Sequence, residues 1–288
     1  MQTDTTPQPP QVASRLVHRY LVAVMVIGVT LMSIPAITGL PGEPFILTMV
    51  FGPLLGGAVF TARRSGPGGV RRLFSGVFRW RIGWRNWALA VVVMPLTTVT
   101  IAAATGSLAS PPDGWLTTAT TYLVSTFLVG TLVINLWEEV AWEGLVQRHL
   151  MDRFGLAKGA LLTAVPFAVI HLPLGFVGGA TLNEALVTSV LVLVMAPPFR
   201  YLMGRTDYAT GSSLLAVGVL HASFNASGSL NVLVGGWQHI AGIAVVAAVA
   251  LVLDARRRTA PKRRPLTLRW SRTDHILKRG RNGRRRTS

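Results

Sequence analysis

The 288 residues carry 28 Lys and Arg against 11 Asp and Glu, a net charge of +17, yet half are hydrophobic, 14% are charged and the mean hydropathy is +0.47. So little polar residue cannot cover the core of a soluble domain, which excludes the ordinary globular class and points to an integral membrane protein. The chain has no cysteine, which excludes disulfides, thiolate metal sites and a cysteine nucleophile.

In chain order, residues 1–19 read as a disordered cytoplasmic N-terminus, polar and Pro-containing at first, with no cleavable signal peptide. Eight apolar runs follow, at 20–40, 45–62, 87–105, 118–138 and beyond, 157–172, 185–199, 214–230 and 237–253. At 1.5 Å per residue these approach the length needed to cross a hydrocarbon core, several being short or interrupted by Pro and Gly. The expected fold is all-α, a polytopic transmembrane bundle of about eight helices. Residues 20–253 form one domain, and 254–288 a basic cytoplasmic tail.

The placement of charge tests that count. Arg15 and Arg19 precede the first span, seven arginines from Arg63 to Arg85 separate the second and third, and Arg148, Arg153 and Lys158 follow the fourth. Arg200 and Arg205 follow the sixth, and the remaining 14 basic residues lie after Leu253. With eight spans all 28 fall on one side, as cytoplasmic loops collect Lys and Arg, so both termini are expected in the cytoplasm. The stretch from Val70 to Asn86, with Phe, Val and Trp between arginines, reads as a helix lying on the cytoplasmic leaflet. The basic tail and loops are expected to meet anionic lipid; juxtamembrane basic runs anchor topology far more often than they bind nucleic acid, and no nucleic-acid partner is expected. Arginine in large excess over lysine fits a G+C-rich bacterial genome, hence a bacterial cell membrane.

Ionisable residues inside a span need a reason, since a charge at the bilayer centre costs on the order of 2.5–3.5 kcal/mol. Three of the 11 acids, Glu138, Glu139 and Glu143, fall within the fourth span. The bland alternative is that this span ends near Trp137 and leaves them at the surface, but Arg148 and Arg153 mark the cytoplasmic edge ten to fifteen residues later. The fifth span carries Phe167 and His171, the seventh His221 and Asn225, each pair four residues apart and so on one helical face. Counted from Lys158 and Arg205, both histidines lie about 20 Å deep, level with Glu138. The spacing therefore implies one buried polar site. A carboxylate beside a histidine can deprotonate water and return the proton to a leaving amine, while a second His with an Asn can donate to an oxyanion. The set Glu138, His171 and His221 could instead hold zinc with an open water position. The helical signature of two histidines four apart with an intervening Glu is absent.

These residues resemble the CAAX protease and bacteriocin-processing (CPBP, or abortive-infection) intramembrane proteases. That family includes the eukaryotic endopeptidase that trims prenylated CAAX proteins. Its Glu-Glu-x-x-x-Arg pattern, often followed by Gly, is similar to Glu138-Glu139-Val-Ala-Trp-Glu143-Gly144. Its Phe-x-x-x-His and His-x-x-x-Asn patterns are similar to Phe167 to His171 and His221 to Asn225. The motifs span 118–229 in matching order, and the stretch from Arg79 to Arg85 is also similar. The resemblance implies that Glu138 and His171 activate water, that His221 and Asn225 stabilise the oxyanion, and that Glu139 is paired by the motif arginine.

Here the arginine position holds Glu143, one turn after Glu139, so a like-charge pair replaces an ion pair. The expectation is one proton shared between them, or rescue by Arg148 from the next turn. Trp142, Gly144 and Phe167 are expected to pack helices together, and Asp113, Asn183 and Glu184 to sit in outer loops. The expected function is hydrolysis of a peptide bond in a small membrane-associated peptide or protein. The alternative is an inactive immunity or scaffold protein that uses the same polar cluster to bind a partner. A proton-coupled transporter ranks last, because the sequence shows no matching halves.

Overall fold

The computed structural model describes residues 10–259. Among them the chain forms eight helical segments and no strand, with one β-bridge joining Leu108 to Leu233 between two loops. The segments are α1 (Pro10–Thr38), α2 (Glu43–Phe74), α3 (Trp84–Ala104), α4 (Gly114–Phe154), α5 (Leu156–His171), α6 (Leu182–Ala209), α7 (Leu214–Gly228) and α8 (Gln238–Thr259). Seven are long and apolar enough to cross a membrane, and α7, of 15 residues, is the shorter eighth. The expected bundle of about eight helices is what the chain builds, as a multi-pass membrane protein. A second unit begins at Val252 and holds the end of α8.

Several boundaries differ from expectation. The described part of α1 runs from Pro10, so 10–19 is helical. The rest of that segment, 1–9, and the tail from 260 lie outside the described residues. The interfacial helix expected at 70–86 is shorter. Gly66, at φ 62°, breaks α2, so the helix resumes at Pro67, runs to Phe74, and passes through a 3₁₀ turn at Ser75–Phe78 before α3. Glu184 belongs to the first turn of α6 and not to a loop. It forms a capping box with Thr181, whose hydroxyl accepts from the Glu184 N–H at 3.3 Å while its own N–H donates to Glu184 at 2.8 Å.

Helix α7 is the axis of the bundle. Nearly all its residues from Leu214 to Ser227 are buried, and it packs against α3, α4 and α6. Its small residues let neighbours approach closely: a Cβ on Gly218 would lie 2.8 Å from the Cα of Leu136 in α4. Ser213 caps it, accepting the Ala216 N–H at 3.1 Å and donating to the Arg79 carbonyl at 2.6 Å.

Two helical hairpins position the site, and the second contains this axis. Helices α4 and α5 turn at Gly155, whose φ of 79° suits a glycine at a helix end. They then run so close that a Cβ on Gly159 would meet the Met151 backbone nitrogen at 2.6 Å. Helices α6 and α7 turn at 210–213, with Gly211 and Ser212 both at positive φ.

Candidate active site

A tight hairpin sets residues equidistant from its turn opposite one another. Glu138 lies 17 residues before Gly155 and His171 16 after it, which brings them together across α4 and α5. His171 Nε2 stands 3.6 Å from Glu138 Oε1, and Glu138 is 5% exposed. His171 Nδ1 lies 2.6 Å from the Phe167 carbonyl, which can only accept, so Nδ1 is the protonated nitrogen. In the neutral ring Nε2 then carries a lone pair toward Glu138. Glu138 Oε1 has no hydrogen-bond partner in the protein.

The second hairpin does the same for a residue that the motifs do not contain. Arg200 on α6 and His221 on α7 lie at similar distances from the turn, and both reach α4. Arg200 is fully buried. Its Nη1 donates to both oxygens of Glu139 at 2.9 and 3.0 Å, its Nη2 to Glu143 at 3.0 Å and its Nε to Gln147 at 2.6 Å. Gln147 in turn donates to the Arg200 carbonyl at 2.8 Å. Glu139, also fully buried, accepts from His221 Nδ1 at 2.9 Å.

The Glu139 and Glu143 pair is therefore bridged by a guanidinium, and the expected rescue by Arg148 does not occur. Arg148 is engaged by Asp207, at 2.5 and 3.0 Å, and by the Ser212 carbonyl at 3.2 Å. The reading of Arg200 as a cytoplasmic loop residue is corrected as well. Helix α6 continues through Pro197 and Pro198 to Ala209, so its end lies nine residues beyond Arg200. The depth of His221 changes for the same reason: it sits seven residues into α7, about 10 Å along the helix from Leu214.

Asn225, one turn after His221, is exposed where most of α7 is buried. Its Nδ2 donates to Asn135 Oδ1 at 2.9 Å, and Asn135 Nδ2 donates to the Gly130 carbonyl at 3.0 Å. Gly130–Asn135 and Trp142–Gln147 are π-helical, two such stretches flanking the α-helical turn that holds Glu138 and Glu139. Interruptions of this kind re-aim side chains and recur at functional sites. Phe167 lies beneath both imidazoles, its ring 4.4 Å from His171 and 6.4 Å from His221, with the Arg200 guanidinium 5.2 Å above it. Its edge contact with Trp142 at 5.4 Å fits the packing role expected of both. Gly144 likewise lies in contact range of Leu73 and Leu214.

The zinc set expected as an option is not assembled: among the described residues no three His, Asp or Glu side chains come together as a metal site. His171 and His221 turn to different carboxylates, Glu138 and Glu139, so the site is two carboxylate–imidazole pairs side by side. Sequence reasoning missed Arg200, Gln147 and Asn135. The first had a signal, since Arg200 lies between Pro-Pro-Phe and apolar residues rather than in a polar loop.

No curated protein matches the chain. Residues 119–227, which contain every side chain of the two pairs together with Arg200, Asn135 and Asn225, match the model of the type II CAAX prenyl endopeptidase Rce1-like family, and the resemblance read from the three motifs holds across that segment.

Proposed function

We propose that this chain is an intramembrane endopeptidase that hydrolyses a peptide bond in a small membrane-associated peptide or protein, with water activated by Glu138 and His171. The observation that carries the reading is the approach of these two side chains to 3.6 Å, with Glu138 Oε1 buried and without a protein donor. A carboxylate and an imidazole lone pair are both acceptors. They cannot satisfy each other, but together they can accept the protons of one water.

In the proposed reaction the water oxygen attacks the scissile carbonyl carbon as its proton passes to the Glu138–His171 pair. The carbonyl π electrons move to the oxygen, giving a tetrahedral oxyanion. The same proton then goes to the departing amide nitrogen as the C–N bond breaks, which is general base followed by general acid catalysis. Glu139 lies 2.9 Å from His221 Nδ1 and holds the ring there, which leaves Nε2 as the nitrogen that can donate to the oxyanion when it carries a proton. Asn225 has two amide N–H groups and commits one to Asn135, leaving the other for the oxyanion. The low dielectric around these groups strengthens each interaction.

The family match supports proteolysis over partner binding alone, and it supports a membrane-associated substrate. A cell-membrane location with both termini in the cytoplasm rests on the one-sided basic loops. The test is purified protein in lipid nanodiscs incubated with a library of membrane-associated peptides. Defined new termini that are absent with Glu138→Gln are expected. An unchanged library would contradict the reading.

A further inference from the structure

Glu139, Glu143 and Gln147 occupy one face of α4 at four-residue steps, and all three are answered by one side chain from another helix. We propose that Arg200 is the positioning residue that supplies, from α6, the cation that the Glu-Glu-x-x-x-Arg pattern would place at position 143 on α4. Through Glu139 it keeps His221 in register. This rests on the protease reading and deepens it, because it makes the geometry of the second carboxylate–imidazole pair depend on α6.

The geometry favours a positioning role over generic ion pairing. The guanidinium uses Nε, Nη1 and Nη2 on three different side chains of α4, and its face lies over Phe167 and 5.9 Å from Phe199. A planar fork carries its donors on three separate nitrogens and can do this, whereas an ammonium carries all three on one atom and does not reach acceptors spread over two helical turns. Gln147 holds both the side chain and the backbone carbonyl of Arg200, so the arginine is fixed at two points. Pro197 and Pro198, just upstream, lack the N–H groups that would bond to the Leu193 and Val194 carbonyls, which loosens α6 one turn before the arginine.

An arginine at position 143 would join Glu139 within one helix. From α6 it joins α4 to the hairpin that carries His221, and the loop Arg200, Glu139, His221 closes through the 210–213 turn. Glu143 then follows from Arg200: with the cation delivered from α6, a second carboxylate on α4 gains an ion pair where a second cation would be repelled.

The test uses full-length protein in nanodiscs with Arg200→Met, Arg200→Lys, Glu143→Arg and the double variant Glu143→Arg/Arg200→Met, which moves the cation back to α4. Three quantities are measured: kcat and KM on any peptide cleaved in a Glu138-dependent way, the thermal midpoint, and the ¹⁵N signals of His221 among the six histidines, assigned with His221→Gln. Arg200→Met is expected to lower kcat about a hundredfold with KM little changed, and to move the His221 signals. Arg200→Lys is expected to recover little, and the double variant to recover to within about tenfold of wild type with the His221 signals restored.

The proposal is overturned if Arg200→Met keeps wild-type kcat and His221 signals, or if a double variant that melts like wild type recovers neither. Should Arg200→Met not fold, the double variant decides by the same two readouts. If wild-type protein cleaves nothing, the protease reading fails while the His221 signals still decide the role of Arg200.

Discussion

His171 Nε2 and Glu138 Oε1 face each other at 3.6 Å, beyond direct hydrogen-bonding reach, while His171 Nδ1 is held by Phe167 at 2.6 Å. The pair is arranged by the fold and left incomplete by it. Glu138→Gln and His171→Gln preserve size and remove one proton acceptor each. Each is expected to lower kcat by a factor of about 10² to 10⁴, the usual contribution of a positioned acid or base. Neither should lower the thermal midpoint appreciably, because the two groups do not hold each other by a hydrogen bond. A large drop in midpoint that accounts for the lost activity would count against a chemical role.

The α4–α5 hairpin sets that distance, and Gly159 sets the hairpin. A Cβ there would lie 2.6 and 2.7 Å from the nitrogen and Cα of Met151, backbone atoms that cannot swing aside. Gly159→Ala is expected to cost about 1–3 kcal/mol, as overpacking does, and to reduce activity by shifting Glu138 against His171. Gly52→Ala is the control, since a Cβ at Gly52 has nothing within 4 Å. Thermal unfolding of the two variants in the same lipid checks the contrast.

Asn135 acts through Asn225. Asn225→Ala is expected to reduce kcat by about 10² to 10³ with little change in KM, as loss of an oxyanion donor does. Asn135→Ala, which releases Asn225 from its 2.9 Å hydrogen bond, is expected to cost about tenfold. The double variant should be no slower than Asn225→Ala, because once the donor is gone its orientation no longer matters. Steady-state kinetics of the three variants is the check, and additive losses would contradict it.

Asp207 separates a structural ion pair from a functional one. It is buried, and it engages Arg148 with both oxygens, away from the carboxylate–imidazole pairs. Asp207→Asn is expected to destabilise the protein by about 3 kcal/mol, because it leaves the Arg148 charge without its counter-ion. The kcat of the folded fraction should stay within a few-fold of wild type. Comparing melting with active-site-normalised rates distinguishes this from Arg200, where kcat itself is expected to fall.

Much of this arrangement was legible in the sequence because the bilayer makes polar residues conspicuous. The acids of the fourth span, His171 and His221 stood out against apolar runs. Arg200 was misread because one-sided basic loops are a strong rule and Arg205 lies close by. Only tertiary structure shows that α6 carries on past the double proline before turning. Glu143 looked like a repulsive neighbour for Glu139 for the same reason, since its partner is 57 residues away. Asn135 was hidden by the π-helical stretch that it ends, which no 3.6-residue periodicity reveals, and by a side chain that turns back to the Gly130 carbonyl on its own helix.

The most direct test of the account is quantitative mass spectrometry of new peptide termini in membranes and medium from host cells that carry wild-type protein, Glu138→Gln or His171→Ala at equal expression. Intramembrane proteolysis by the Glu138–His171 pair predicts defined termini in the wild type that disappear in both variants, and the missing peptide identifies the substrate. Identical termini in all three strains, with both variants restoring any phenotype of deleting the gene, would contradict it.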